Sequence, residues 1–134
     1  MQRGFRVKIR VYYEDTDAGG IVYHANYLKF CERARSELFF SKGLSPHSKS
    51  GFFVLRRIEA DFFKSASLGD VLEVTTEVEA IKKASVIFWQ TVWLKDEPIF
   101  QARVLLAYLA NGRVGKIPEP VLALLKALPR RGES

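Results

Sequence analysis

The chain has 134 residues, 48% of them hydrophobic and 27% charged, with a formal net charge of +6. That length suits one domain whose core needs neither disulfides nor metals, and the composition excludes a disordered or fibrous protein. A single cysteine, Cys31, excludes an intrachain disulfide and fits a reducing compartment, and no run reaches the ~18–20 uninterrupted apolar residues of a membrane span.

Residues 5–13 alternate. Phe5, Val7, Ile9, Val11 and Tyr13 share one face and Arg6, Lys8 and Arg10 the other, which predicts a half-buried strand. Because Met1 to Arg10 lacks an apolar signal core, a cytoplasmic protein is expected. Asp15-Thr16-Asp17-Ala18-Gly19-Gly20 breaks the alternation with turn-forming residues. From about His24 to Lys42, Tyr27, Cys31, Ala34 and Leu38 recur at helical spacing, with Leu28 and Phe30 widening the stripe and Gly43 as stop signal.

Strands are predicted over 52–63, 70–80, 85–94 and 99–110. In 70–80 one face is apolar (Leu72, Val74, Val78, Ala80) and the other carries Glu73, Glu77 and Glu79. In 85–94 both faces are apolar, the pattern of a central strand or of one covered by a subunit partner. Pro120 opens a short amphipathic helix (Val121, Leu124, Leu125, Leu128) that Pro129 closes. The order β-α-β-β-β-β plus a short C-terminal helix is α+β: a five-stranded, largely antiparallel sheet burying one long helix. Short connections after residue 50, with turn signals at 67–70 and 95–98, suggest a meander. No repeat or linker divides the chain, so residues 1–129 are read as one domain and 130–134 as a disordered tail.

The stretch from Tyr12 to Tyr27 carries the chemistry. It sets a carboxylate, Asp17, in a Gly-rich loop just before a helix N-terminus, where unpaired N–H groups and the positive end of the helix dipole meet. Such N–H groups can polarise a carbonyl and hold an oxyanion, while the carboxylate attacks it or activates water. This suits acyl transfer or hydrolysis, and no Gly-x-Ser-x-Gly element offers a serine nucleophile instead. Asp17 is equally a residue type that favours turns and helix caps, and Asp15, two residues earlier, reads as a loop-organising residue. His24 could orient water, hydrogen-bond a thioester or protonate a thiolate, or contribute only its backbone N–H. Cys31 lies on the apolar stripe of the helix and reads as a packed core thiol. No Cys/His cluster has metal-ligand spacing, so no metal site is expected.

Tyr13-Glu14-Asp15-Thr16-Asp17-Ala18-Gly19-Gly20-Ile21-Val22-Tyr23-His24-Ala25-Asn26-Tyr27, continued by Cys31-Glu32-Arg33-Ala34-Arg35-Ser36-Glu37, resembles the signature of the 4-hydroxybenzoyl-CoA thioesterase family. It is most similar to that family's bacterial acyl-CoA thioesterases associated with the Tol-Pal envelope system. Asp61 to Asp70 resembles a second family stretch, and the likeness covers roughly residues 5–110. The resemblance implies a hot-dog fold, a homodimer joined sheet edge to sheet edge, and pairing of dimers into a homotetramer. It implies hydrolysis of acyl-CoA with no cofactor, Asp17 as nucleophile or general base, and an oxyanion-polarising N–H at His24. A tyrosine stands at that position in the aromatic-acid member, so the histidine here favours an aliphatic acyl group.

Tyr23 and Gly20 border the motif as candidate substrate-binding residues. Lys82 and Lys83, at a strand turn, could meet the phosphates of coenzyme A as point charges; exposed hairpin lysines are also ordinary. Arg57 and Lys64 are further candidates, although Glu59 offers Arg57 a simple ion-pair partner. The Phe-rich runs 39–40, 52–53 and 62–63 are expected to fill the sheet–helix interface. Three other readings remain. An acyl dehydratase would need a His-Phe-Pro type of loop, which is absent. A nucleic-acid or anionic-lipid module would need a continuous cationic stripe with exposed aromatics, whereas the Lys and Arg here are scattered, so no nucleic-acid partner is expected. A non-catalytic protein that binds acyl carrier protein or serves as an envelope-associated scaffold is the alternative from another class.

Overall fold

The computed structural model describes residues 4–132. In chain order the elements are β1 (Phe5–Arg10), a 3₁₀ turn (Tyr13–Asp15), α1 (Asn26–Phe40), β2 (His47–Ser48), β3 (Gly51–Phe62), β4 (Val71–Ile81), β5 (Ser85–Leu94), β6 (Glu97–Ala110), β7 (Arg113–Val114) and α2 (Glu119–Lys126). The strands form one antiparallel sheet in the order β1-β4-β5-β6-β3-β2, with β7 on β6. The five long strands stand where the sequence predicts them, within a few residues at their ends; β2 and β7 are two-residue additions with too few residues to show a period. The meander expectation holds only for β4, β5 and β6. The chain from β3 does not turn back on itself but crosses the sheet, so that β3 pairs with β6.

The helix stripe explains why the sheet curls around α1. Tyr27, Phe30, Cys31, Ala34, Leu38 and Phe39 are all buried, and α1 packs on β1, β4 and β5. Ala34, fully buried, lets the helix backbone approach the sheet closely. Opposite lie Leu72 and Val74 from β4, Phe88 and Val92 from β5, and Phe100 and Val104 from β6, each fully buried. Burial of such side chains at about 1.5–3 kcal/mol each is the main term holding helix to sheet. The helix is shorter at both ends than its apolar pattern, which cannot locate caps: Ala25 is the N-cap, and Ser41 follows Phe40. A long helix wrapped by an antiparallel sheet is the hot-dog arrangement, an α+β fold.

One polar cluster interrupts this interface. Gln90, fully buried, donates from Nε2 to the Cys31 carbonyl and to Thr76 Oγ1, both at 3.0 Å, and its Oε1 accepts a 3.0 Å bond from Arg35 Nη1. Every polar atom of the Gln90 side chain is thereby used, which is what a buried amide requires.

The double-sided apolar β5 is a central strand, between β4 and β6. Part of its outer face is covered by the chain's own end, and here the expected tail is corrected. Arg130 bridges to Val78, the Arg131 N–H donates to the Val78 carbonyl at 2.8 Å, and the Arg131 guanidinium lies 3.6 Å over the Trp89 ring. The register shift between Val78 and Ala80 accompanies this pairing, and Glu79 at the bulge accepts a 2.7 Å hydrogen bond from Arg131 Nη1 and forms an ion pair with Arg103, whose Nε stands 2.8 Å away. A sequence of charged residues after a proline reads as solvated tail because the cation–π and ion-pair partners lie about 40–50 residues away on β4 and β5. Glu133 and Ser134 lie outside the described residues.

Burial alone would push the Glu79 carboxyl up, but the hydrogen bonds and charges of Arg131 and Arg103 outweigh it and hold it below its ordinary value. A depressed carboxyl contributes stability above its unfolded pKa and loses it as pH falls through its folded one. Arg131→Ala is therefore expected to cost about 0.5–1 kcal/mol at pH 7. The difference should shrink as the pH drops below about 4. Urea unfolding of both proteins across pH checks this.

Candidate active site

The turn after β1 is held from three sides. Asp15 ends the 3₁₀ turn with its carboxylate buried: Oδ2 accepts the Tyr12 N–H and Oδ1 accepts Asn26 Nδ2, both at 3.0 Å. The next residues fold back, with the Asp17 N–H donating to the Ile21 carbonyl at 2.9 Å and the Gly20 N–H to the Asp17 carbonyl at 3.0 Å. Gly20 sits at φ +82°, in the left-handed region where a side chain is strained. The segment 20–22 then runs beside 66–68: Val22 N–H donates to the Ala66 carbonyl, and Leu68 N–H to the Gly20 carbonyl.

Asp17 itself is exposed. Its Oδ1 accepts the Gly19 N–H at 2.8 Å, and among the described residues its Oδ2 has no hydrogen-bond partner. A Cβ on Gly19 would stand 3.3 Å from that Oδ1 and crowd the carboxylate. One oxygen is thus anchored while the other stays available.

A cleft of about 290 Å³ brings Asp17 together with Ile21, Val22, His24, Tyr27, Phe62, Phe63, Lys64 and Ser65. His24 is exposed, two residues before the first turn of α1, and no backbone acceptor among the described residues takes its N–H or that of Ala25. Its ring lies 4.4 Å from that of Tyr23 and 6.5 Å, edge to face, from that of Phe62. Tyr27 closes the floor, stacked on Phe100 at 5.2 Å, and its hydroxyl accepts the Ala66 N–H at 3.0 Å. Burial pushes the Tyr27 phenol above its ordinary value, the Ala66 bond opposing and Asp70 adding to the rise, so it is protonated at neutral pH. Lys64 Nζ forms a 2.7 Å ion pair with Glu97 at the rim.

Asp17, His24 and Lys64 therefore meet in one cleft; the other candidates do not line it. Tyr23 touches it through His24, and Gly20 shapes the turn. Lys82 and Lys83 belong to the far end of the sheet. Phe62, Phe100 and Val92 form the row beside the cleft, whereas Ile81, Val86 and Leu106 form the row beside the lysines. The stretch of β5 between those rows is about 20 Å long. Arg57 is exposed on β3, 3.7 Å from Glu59, the ion pair that its spacing suggested. The Phe runs also differ from expectation. Phe39 is buried, but Phe40, Phe62 and Phe63 are each 52–53% exposed, the latter two as walls of the cleft. Strand alternation fails for Phe63 because the strand ends at Phe62. Sequence reasoning also missed Ser65 and Asn26. Asn26 carried a signal, a polar residue on the first turn of an apolar-striped helix.

Two groups are set aside. A larger hollow of about 510 Å³ lies between α1 and β3, but its one carboxylate, Glu32, accepts a 2.8 Å bond from Ser36. Cys31 is fully buried, and burial pushes its thiol up to about 12, against a smaller opposing effect of Arg35. A thiol-specific reagent is expected to leave the native protein unlabelled at pH 8 and to label one thiol per chain after denaturation. Rapid native labelling would contradict the packing. Among the described residues no three His, Cys, Asp or Glu gather to hold a metal ion.

A carboxylate with one oxygen unpartnered among the described residues, a histidine on the same cleft whose backbone N–H has no acceptor among them, and a rim lysine paired with Glu97 form a set able to hydrolyse an activated acyl group. The comparisons agree with that chemistry. The profile of the Thioesterase superfamily matches residues 19–100. The acyl-CoA thioesterase YbgC of Helicobacter pylori is 44% identical over 124 residues, covering 90% of this chain and 93% of that protein. Among solved structures, a hypothetical protein from Aquifex aeolicus superposes with a TM-score of 0.86 at 31% identity, over 90% of this chain and 98% of that one. A thioesterase from Thermus thermophilus, solved in complex with coenzyme A and zinc, gives a TM-score of 0.81 at 26% identity, over 94% and 100% of the two chains. On the family profile and the Helicobacter relative together, this chain belongs to the thioesterase superfamily.

Proposed function

We propose that the protein hydrolyses an aliphatic acyl-CoA to the free acid and coenzyme A, with Asp17 as the catalytic carboxylate. The observation that carries this is the Asp17 carboxylate on the same cleft as His24, one oxygen held by Gly19 and the other without a partner among the described residues. Asp17 attacks the thioester carbonyl or takes a proton from the attacking water. The N–H of His24, close to the positive end of α1, receives the developing oxyanion. The leaving thiolate needs no metal or cofactor. Lys64 at the rim is placed to meet an anionic group of the substrate once freed from Glu97. The histidine at position 24 favours an aliphatic over a hydroxybenzoyl acyl group, and the half-exposed Phe62 and Phe63 offer that group an apolar wall.

The lack of an apolar signal core in Met1 to Arg10 and the single cysteine support a cytoplasmic protein, and acyl carrier protein is the alternative carrier to coenzyme A. No helix among the described residues is long and apolar enough to cross a membrane. A homodimer joined edge to edge is supported by the edge of β3, where among the described residues β2 pairs only with Gly51 and Phe52; the pairing of dimers into a tetramer rests on the family resemblance of the motif.

The test is free-thiol release by the purified protein across acyl-CoAs of graded chain length, with benzoyl-CoA alongside and each acyl group also offered on acyl carrier protein. Aliphatic turnover with a preferred length supports the reading. A preference for the aromatic thioester would remove the argument from His24, and silence on every substrate would favour a non-catalytic carrier-binding or scaffold role.

A further inference from the structure

We infer that Asp15 and Asn26 form a positioning pair that holds the Asp17 loop against the start of α1, an inference that rests on the catalytic reading of Asp17. Asp15 is the only buried carboxylate among the described residues, 2% exposed, and Asn26, 7% exposed, is the first residue of α1. A buried carboxylate is costly unless its oxygens are satisfied. Here two neutral donors satisfy them, and they come from different places: the Tyr12 N–H at the end of β1 and Asn26 Nδ2 on the helix. The Asp15 carbonyl adds a third tie, accepting the Tyr23 N–H at 2.9 Å, and the Asn26 N–H returns to the Tyr23 carbonyl at 2.8 Å.

This arrangement pins both partners of the proposed chemistry. Asp17 is two residues beyond Asp15, and His24 lies between Tyr23 and Asn26. The buried pair therefore sets where the free Asp17 oxygen stands relative to the His24 N–H, and misplacement of reacting groups by about 1 Å is enough to cost ~10²-fold in rate. Asp17 is exposed and gets little packing of its own, so the geometry has to come from beneath. The chemistry at position 15 requires an acceptor at both oxygens. Asparagine there removes the charge that both donors serve and sets an NH₂ group against Asn26 Nδ2, so the second contact survives, as a weaker neutral bond, only if the Asn26 amide turns over to present its oxygen.

The exchanged pair restores both. In Asp15→Asn/Asn26→Asp, the new amide oxygen accepts the Tyr12 N–H and its nitrogen donates to the new carboxylate, which also gains from the helix N-terminus. The experiment combines steady-state acyl-CoA hydrolysis with amide hydrogen exchange on wild type, Asp15→Asn, Asp17→Asn, Asp15→Asn/Asn26→Asp and Asp15→Asn/Asp17→Asn. Asp15→Asn is expected to lower kcat by about 10–100-fold with KM within about twofold. Exchange should accelerate at the Asp17 and Tyr23 amides but not at Phe88 in the core. The exchanged pair should recover most of kcat and of the exchange protection. In the Asp17→Asn background, Asp15→Asn should cost nothing further, because a positioning residue has no effect once the group it positions is gone.

Unchanged kcat in a folded Asp15→Asn, an equal further loss without the Asp17 carboxylate, or recovery of protection without recovery of kcat would each overturn the inference. Retained activity in Asp17→Asn alone would instead sink the catalytic reading, and the exchange measurement would still decide whether the pair anchors the loop.

Discussion

Asp17→Asn is expected to reduce kcat for acyl-CoA hydrolysis by about 10²–10⁴-fold, the range that a positioned acid–base group supplies. The substitution nearly preserves shape. Its amide oxygen can still accept the Gly19 N–H that now bonds Oδ1 at 2.8 Å, so the turn should survive. What disappears is the charge on the second oxygen, and with it either the nucleophile or the base. Because Asp17 is exposed, the fold owes it little, and unfolding midpoints of the two proteins should agree closely. Thiol release and a urea titration on the same preparations separate the two properties. A folded variant with wild-type turnover would remove Asp17 from the chemistry, and a variant that loses both would show a structural residue instead.

The largest stability effect is expected at Phe100. Its ring is fully buried, stacked on Tyr27 with centroids 5.2 Å apart and planes 11° apart, and edge-on to Phe62 at 4.9 Å. Truncation to alanine leaves a cavity that three secondary elements (β6, β3 and α1) cannot close together, at a cost of about 3–5 kcal/mol. Phe100→Leu should cost about 1.5 kcal/mol or less. Tyr27 and Phe62 line the cleft, so Phe100→Ala should also slow hydrolysis at temperatures where it remains folded. A lowered urea midpoint at unchanged slope checks the stability part, since the slope follows the surface exposed on unfolding. A loss below about 1 kcal/mol would mean that the neighbouring aromatic rings repack into the space.

What was legible beforehand followed from local chemistry. The period of two in 5–13 and 70–80 and the helical recurrence of Tyr27, Cys31, Ala34 and Leu38 located the long elements they span, because periodicity records which face each residue buries. The Asp15–Asn26 stretch announced a carboxylate loop running into a helix start for the same reason, all of its parts lying within a few residues of each other. The two apolar faces of 85–94 narrowed β5 to a central strand or one covered by a subunit partner, and the sheet order makes it central.

Contacts between distant residues were decided only by the tertiary structure. Nothing in the local pattern says that β3 crosses to pair with β6, which separates Lys82 and Lys83 from the cleft and brings Phe62, Phe63, Lys64 and Ser65 to Asp17. Nor does composition reveal that Arg131 lies over Trp89 and against Glu79, turning an apparent tail into part of the sheet's outer face. Sequence patterns report burial and local turns, because those depend on neighbours along the chain. Sheet order, the partners of a buried carboxylate and the membership of a cleft depend on which strands meet, a choice made by the whole core at once.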